Sequence, residues 1–118
     1  MKLKLILESI VQGGKFNVYH GSNHKFTKFD LSKTAANVAW FSDSIEDIKS
    51  GSAGADSSKY IMEFEITLNN PAGWDEYDKY SLDELMNEGF DGVILKDGDT
   101  TNFIVFDVKN IKFIRNIE

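Results

Sequence analysis

The chain contains no cysteine. Disulfides, thiolate metal sites and a cysteine nucleophile are therefore excluded, and the composition fits a reducing compartment such as the cytoplasm. Basic charge is also scarce. Lys plus Arg number 13 against 19 Asp plus Glu, a net charge of −6. Such a chain is poorly suited to general binding of a phosphate backbone, and its acidity serves solubility or meets a basic partner. Long apolar runs are missing too. "LKLILESIV" near the start is far too short to span a membrane, and no small-residue cleavage site follows it, so neither a membrane span nor a signal peptide is expected.

Several chemistries lack their parts. Of the two histidines, His20 and His24 stand four apart, a spacing that could bind metal from a helix face. Gly21 and Asn23 lie between them and disfavour a helix, and no third ligand sits nearby, so no metal site is expected. There is no Gly-x-Ser-x-Gly elbow and no Gly-x-x-x-x-Gly-Lys phosphate loop.

What is present suffices for one domain. The 118 residues are 42% apolar, with nine Phe, four Tyr and two Trp, enough for one core and too much for a disordered chain. A single domain over residues 1–118 is expected. Leu3, Ile6, Ile10 and Val11 fall near helical spacing, which predicts a short N-terminal helix within 1–14, ended by Gly13-Gly14. Residues 16–19 and 38–42 read as strands, with a long polar loop between them anchored by Phe26 and Phe29. Ser44 caps a short helix with Asp47 three residues on. The stretch 50–58, "SGSAGADSS", has the composition of a solvated connector or of a mobile lid. In "KYIMEFEITL" the residues Tyr60, Met62, Phe64, Ile66 and Leu68 fall on one face of a strand. Ile61, Glu63, Glu65 and Thr67 fall on a face near water. Ser81 with Glu84 forms a capping box, and Gly89 stops that helix. "GVILK" and the turn "DGD" lead to "NFIVFD", apolar on both faces and so expected to be central, with "IKFIRNI" beside it or finishing the sheet. With short helices inserted among strands, the fold class is α+β, built from two small packed sheets.

Three separated pieces carry a further signal. "VYHGS" ends one strand, "AWFSDS" ends another and enters a helix, and "NFIVFDVKNIKFI" lies near the C-terminus. In this order they resemble the three motifs of the ADP-ribosyltransferase family. The likeness is to its poly-polymerase-like branch and to the small transferase domains of phages and mobile elements. "NEGFDGVIL" and "ITLNNPAGW" are similar to the small phage-type domains, and the resemblance spans roughly residues 16–114. It implies an ADP-ribosyltransferase-like fold of two small, mostly antiparallel sheets, and NAD as the bound cofactor and substrate.

The same resemblance assigns roles. His20 holds the adenosine ribose, the backbone of Gly21 holds the nicotinamide amide, and Ser22 completes the motif. An amide needs one donor and one acceptor, and a backbone without Cβ offers both at close range. Trp40 or Phe41 stacks near the nicotinamide; as strand neighbours, one should face a cleft and the other the core. The family's second aromatic position falls on Gly51 here, which leaves Tyr60 as the candidate to close the other side. The family's catalytic glutamate position falls on Asn102. Asparagine can bond the ribose hydroxyl but does not oppose the positive charge that develops as nicotinamide leaves. Asp107 would point to the opposite face of the strand, whereas Asp97 and Asp99, in the turn before it, could supply charge, Asp99 before Asp97.

The resemblance thus implies a mono-ADP-ribosyltransferase acting in the cytoplasm, that of the host if phage-encoded. It would modify a macromolecular acceptor, a protein rather than a nucleic acid, as a host or anti-defence target. The alternative is a catalytically inactive relative, an acidic module that occupies a basic partner.

Overall fold

The computed structural model describes residues 13–22, 28–31, 38–50 and 60–117. The expected N-terminal helix and the 50–58 stretch lie almost wholly outside the described residues. Seven strands form one sheet: β1 (Gly14–Ser22), β2 (Ala39–Ser42), β3 (Tyr60–Leu68), β4 (Pro71–Ala72), β5 (Gly92–Asp97), β6 (Thr100–Val105) and β7 (Ile111–Asn116). The described helices are short: α1 (Ile45–Ser50), α2 (Trp74–Lys79), α3 (Leu82–Asn87), and a 3-10 turn over Val108–Asn110. Among the described residues no helix is long and apolar enough to cross a membrane.

The strand order is β4-β5-β6-β2-β1-β3-β7. All neighbours are antiparallel except β4 and β5. A parallel pair needs a crossover, and α2 and α3 supply it. The class is α+β as expected, but two separate sheets do not form. One sheet folds over on itself instead. Leu68 of β3 and Gly92 of β5 belong to strands four places apart, about 19 Å in a flat sheet. Yet a Cβ added at Gly92 would lie 2.5 Å from Leu68 Cδ2. The rings of Phe16 on β1 and Phe103 on β6 are 5.1 Å apart, across the intervening β2.

The fold-over creates the main core. Phe41, Phe103 and Val105 from one half meet Val18, Met62, Phe64, Ile66 and Leu68 from the other. A second cluster joins Val93, Leu95 and Ile104 of β5 and β6 to Leu85 of α3. Alternation therefore works on both faces of β6, which is central as its apolarity requires. β7 pairs with β3 at the sheet edge rather than beside β6.

Other expectations change in detail. β1 runs from Gly14, two residues earlier than expected, because every residue from Gly14 to Ser22 pairs with β3. The outer face of β3 is not watery at its start. Ile61 and Glu63 are buried, and Glu63 is tolerated there because Arg115 Nε of β7 donates to its Oε1 at 2.6 Å. The short helices match their caps. Ser44 Oγ accepts from Asp47 N–H at 3.1 Å. Ser81 Oγ accepts from Glu84 N–H at 3.1 Å, and Glu84 Oε1 accepts from Ser81 N–H at 2.8 Å. Helices this short are not stable alone and depend on tertiary burial, as of Ile48 in α1 and Leu85 in α3.

Asp91 closes the fold-over. Its carboxylate accepts from the backbone N–H of Asn69 at 2.7 Å and of Asn70 at 3.0 Å, tying the end of β3 to the start of β5. Its own N–H donates to Asn70 O at 3.1 Å. Asp91→Ala should cost about 2 kcal/mol. Gly92→Ala would also place its Cβ 2.4 Å from Ile104 O. It should cost about 3 kcal/mol. Urea denaturation of both variants checks these values; a Gly92→Ala variant as stable as wild type contradicts the close approach.

Candidate functional site

β1, β2 and β6 are adjacent in the sheet, and each carries one of the three segments singled out above. β2 is in register with β6 along its whole length, from Ala39↔Val105 to Ser42↔Asn102. With β1 it shares a single pair, Tyr19↔Ser42. Were that ladder to continue, Gly21 would face Trp40. It does not continue; the strands part there, and the His20 ring takes the place of a backbone partner. Its Nδ1 lies 2.7 Å from Trp40 O. A carbonyl only accepts, so the proton is on Nδ1 and the tautomer is fixed.

His20 is half-buried, edge-on to Phe29 at 4.9 Å and to Phe41 at 5.7 Å. Burial pushes its pKa down from 6.5, and the bond to Trp40 O only partly offsets this. The ring is therefore neutral at pH 7. Gly21 and Ser22 follow on β1, opposite Ile61 and Tyr60.

The aromatic pair of β2 divides as strand alternation requires. Phe41 is 3% exposed and belongs to the main core behind His20; Trp40 is 37% exposed. Trp40 is thus the ring that a ligand can reach. Asn102 lies across from Ser42, on the strand face opposite to Phe103. Trp40 shares that face, as a diagonal neighbour about 7–8 Å from Asn102. His20 belongs to the other side of the sheet and reaches this region only through the parting of β1 and β2. Tyr60 sits at the start of β3, across from Ser22.

The acidic residues separate. Asp99 is exposed in the two-residue turn between β5 and β6. Three residues of extended strand put it about 10 Å from Asn102. Asp97 ends β5 across from Thr100. Asp107 has left the strand, and its Oδ1 accepts from Lys109 N–H at 3.0 Å. One carboxylate was not singled out by sequence. Asp43 Oδ1 accepts from Thr101 N–H at 2.8 Å, beside Asn102. Only the register of β2 on β6 reveals that bond; in the sequence Asp43 is one acid among 19. Among the described residues no group of three or more His, Cys, Asp or Glu could hold a metal ion.

In comparisons with known proteins, no family model, no curated protein and no solved structure matches this chain.

The depressed pKa of His20 has a consequence for stability. The unfolded chain takes up a proton near pH 6.5 while the folded ring resists it. Stability should therefore be full above that value and fall as pH drops from it toward the lower folded pKa. In a His20→Gln variant this part of the slope should vanish. Urea midpoints of both proteins between pH 7.5 and 5 check it; parallel curves contradict a buried neutral ring.

Proposed function

We propose that the protein binds NAD where β1 and β2 part and transfers a single ADP-ribose from it to a macromolecular acceptor. The observation that carries this reading is the lateral adjacency of β6, β2 and β1, which sets side by side the strands that carry His20, Gly21, Trp40 and Asn102. The resemblance of their three segments to ADP-ribosyltransferase motifs gives the reading its chemistry.

The donor set fits the nicotinamide-ribose end of NAD. Trp40 offers an exposed ring for stacking, Gly21 a backbone without a side chain, and Asn102 a neutral amide for a ribose hydroxyl. His20, braced on Trp40 O, presents a fixed tautomer to a second ribose. The acceptor is a protein in the cytoplasm, and the phage-type character of the motifs points to a host or anti-defence target.

Asn102 favours a second reading. A site with an amide in the glutamate position suits a relative that has lost turnover and uses its −6 charge to occupy a basic partner. The two readings separate on nicotinamide release in the presence of host extract. For a transferase, wild type should release nicotinamide above the uncatalysed rate; where no other carboxylate supplies the missing charge, Asn102→Glu should raise it about tenfold or more, and where one does, it should change the rate little. Calorimetry should show NAD binding weakened about fivefold or more by His20→Ala. For a binding module, no variant releases nicotinamide and partner binding survives each change. Equal NAD affinity in wild type and His20→Ala removes His20 from the site.

A further inference from the structure

We propose that Asp43 supplies the negative charge that Asn102 lacks, so that the site carries its carboxylate just after β2 instead of on β6. This inference rests on the transferase reading above. Asp43 directly follows Ser42, the register partner of Asn102. Its N–H donates to Thr101 O at 3.0 Å, and its Oδ1 accepts from Thr101 N–H at 2.8 Å. Two bonds to one residue hold the carboxylate against the residue that precedes Asn102. Asp43 is also exposed, so a ligand can approach it.

The carboxylates discussed above are placed differently. Asp97 lies one strand further out, Asp99 is in the turn, Asp107 caps the 3-10 turn, and Glu63 is bonded to Arg115 on the far half of the sheet. In NAD hydrolysis the bond from ribose C1′ to the nicotinamide nitrogen breaks, and its electron pair leaves with nicotinamide. Water bonds to C1′ and releases a proton to solvent, giving ADP-ribose. Asp43 opposes the positive charge that develops on C1′ between these events.

The competing role is a staple that closes the β2–β6 ladder. Two substitutions distinguish the roles. Asp43→Asn keeps an oxygen for Thr101 N–H and removes the charge; Asp43→Ala removes both. If the charge matters, Asp43→Asn should lower kcat for nicotinamide release about tenfold or more, with KM little changed. Its urea midpoint should match wild type, and Asn102→Glu in the same chain should restore the rate. Asp78→Asn, an equal change of net charge on α2, should leave the rate unchanged. A binding readout goes with it. The nicotinamide ring is cationic in NAD and neutral in NADH, so the preference for NAD over NADH should shrink about threefold in Asp43→Asn. If wild type turns over and Asp43→Asn matches it in kcat and in this preference, the inference fails alone and Asp43 is a staple. If neither wild type nor any variant releases nicotinamide, the transferase reading fails and the inference with it.

Discussion

Leu68 against Gly92 is the contact on which the architecture turns. Among the described residues the sheet presents more apolar face than α1, α2 and α3 cover. Folding the sheet lets the face of β1 and β3 bury the face of β2 and β6, with Phe41, Phe64 and Phe103 filling the space between. That closure needs a position on β5 where a side chain from β3 can come within contact of the backbone. Glycine meets the need, and Asp91 beside it fixes the turn after β3 by accepting two consecutive backbone N–H groups. The aromatic core lies between the two halves that this close approach brings together.

The bend also explains the form of the candidate site. Where two strands part, their facing N–H and C=O groups must find other partners. Trp40 O finds the His20 ring, and burial keeps the ring neutral. His20 is thus a structural brace and a candidate ligand contact at once. Its first role does not depend on its second, so its packing alone does not reveal a function.

Much of this was legible in the sequence where the signal is local. The alternation of β3, the Ser81–Glu84 box and the Ser44 cap each identify an element from neighbouring residues alone. β4 was not legible, because two residues carry no period. α2 was not legible, because none of its residues is buried and it has no apolar stripe to read. The position of β7 beside β3, the single sheet, and the bond from Asp43 to Thr101 depend on pairings between distant segments, which no local pattern encodes. For the site, the division between Trp40 and Phe41 was legible from strand alternation, though not which ring faces out. The bracing of His20 was not legible, since its partner is a backbone carbonyl.

The single pair Tyr19↔Ser42 makes the line between β1 and β2 the shortest pairing in the sheet, with β4 and β5 next at two pairs. Elsewhere neighbouring strands are held by ladders of hydrogen bonds, whose strength varies little with temperature. Across this line the two halves are held by the apolar core beside the His20–Trp40 O bond and the Asp91 bonds to Asn69 and Asn70, and apolar contact weakens on cooling. Cooling should therefore loosen this seam before the longer ladders on either side.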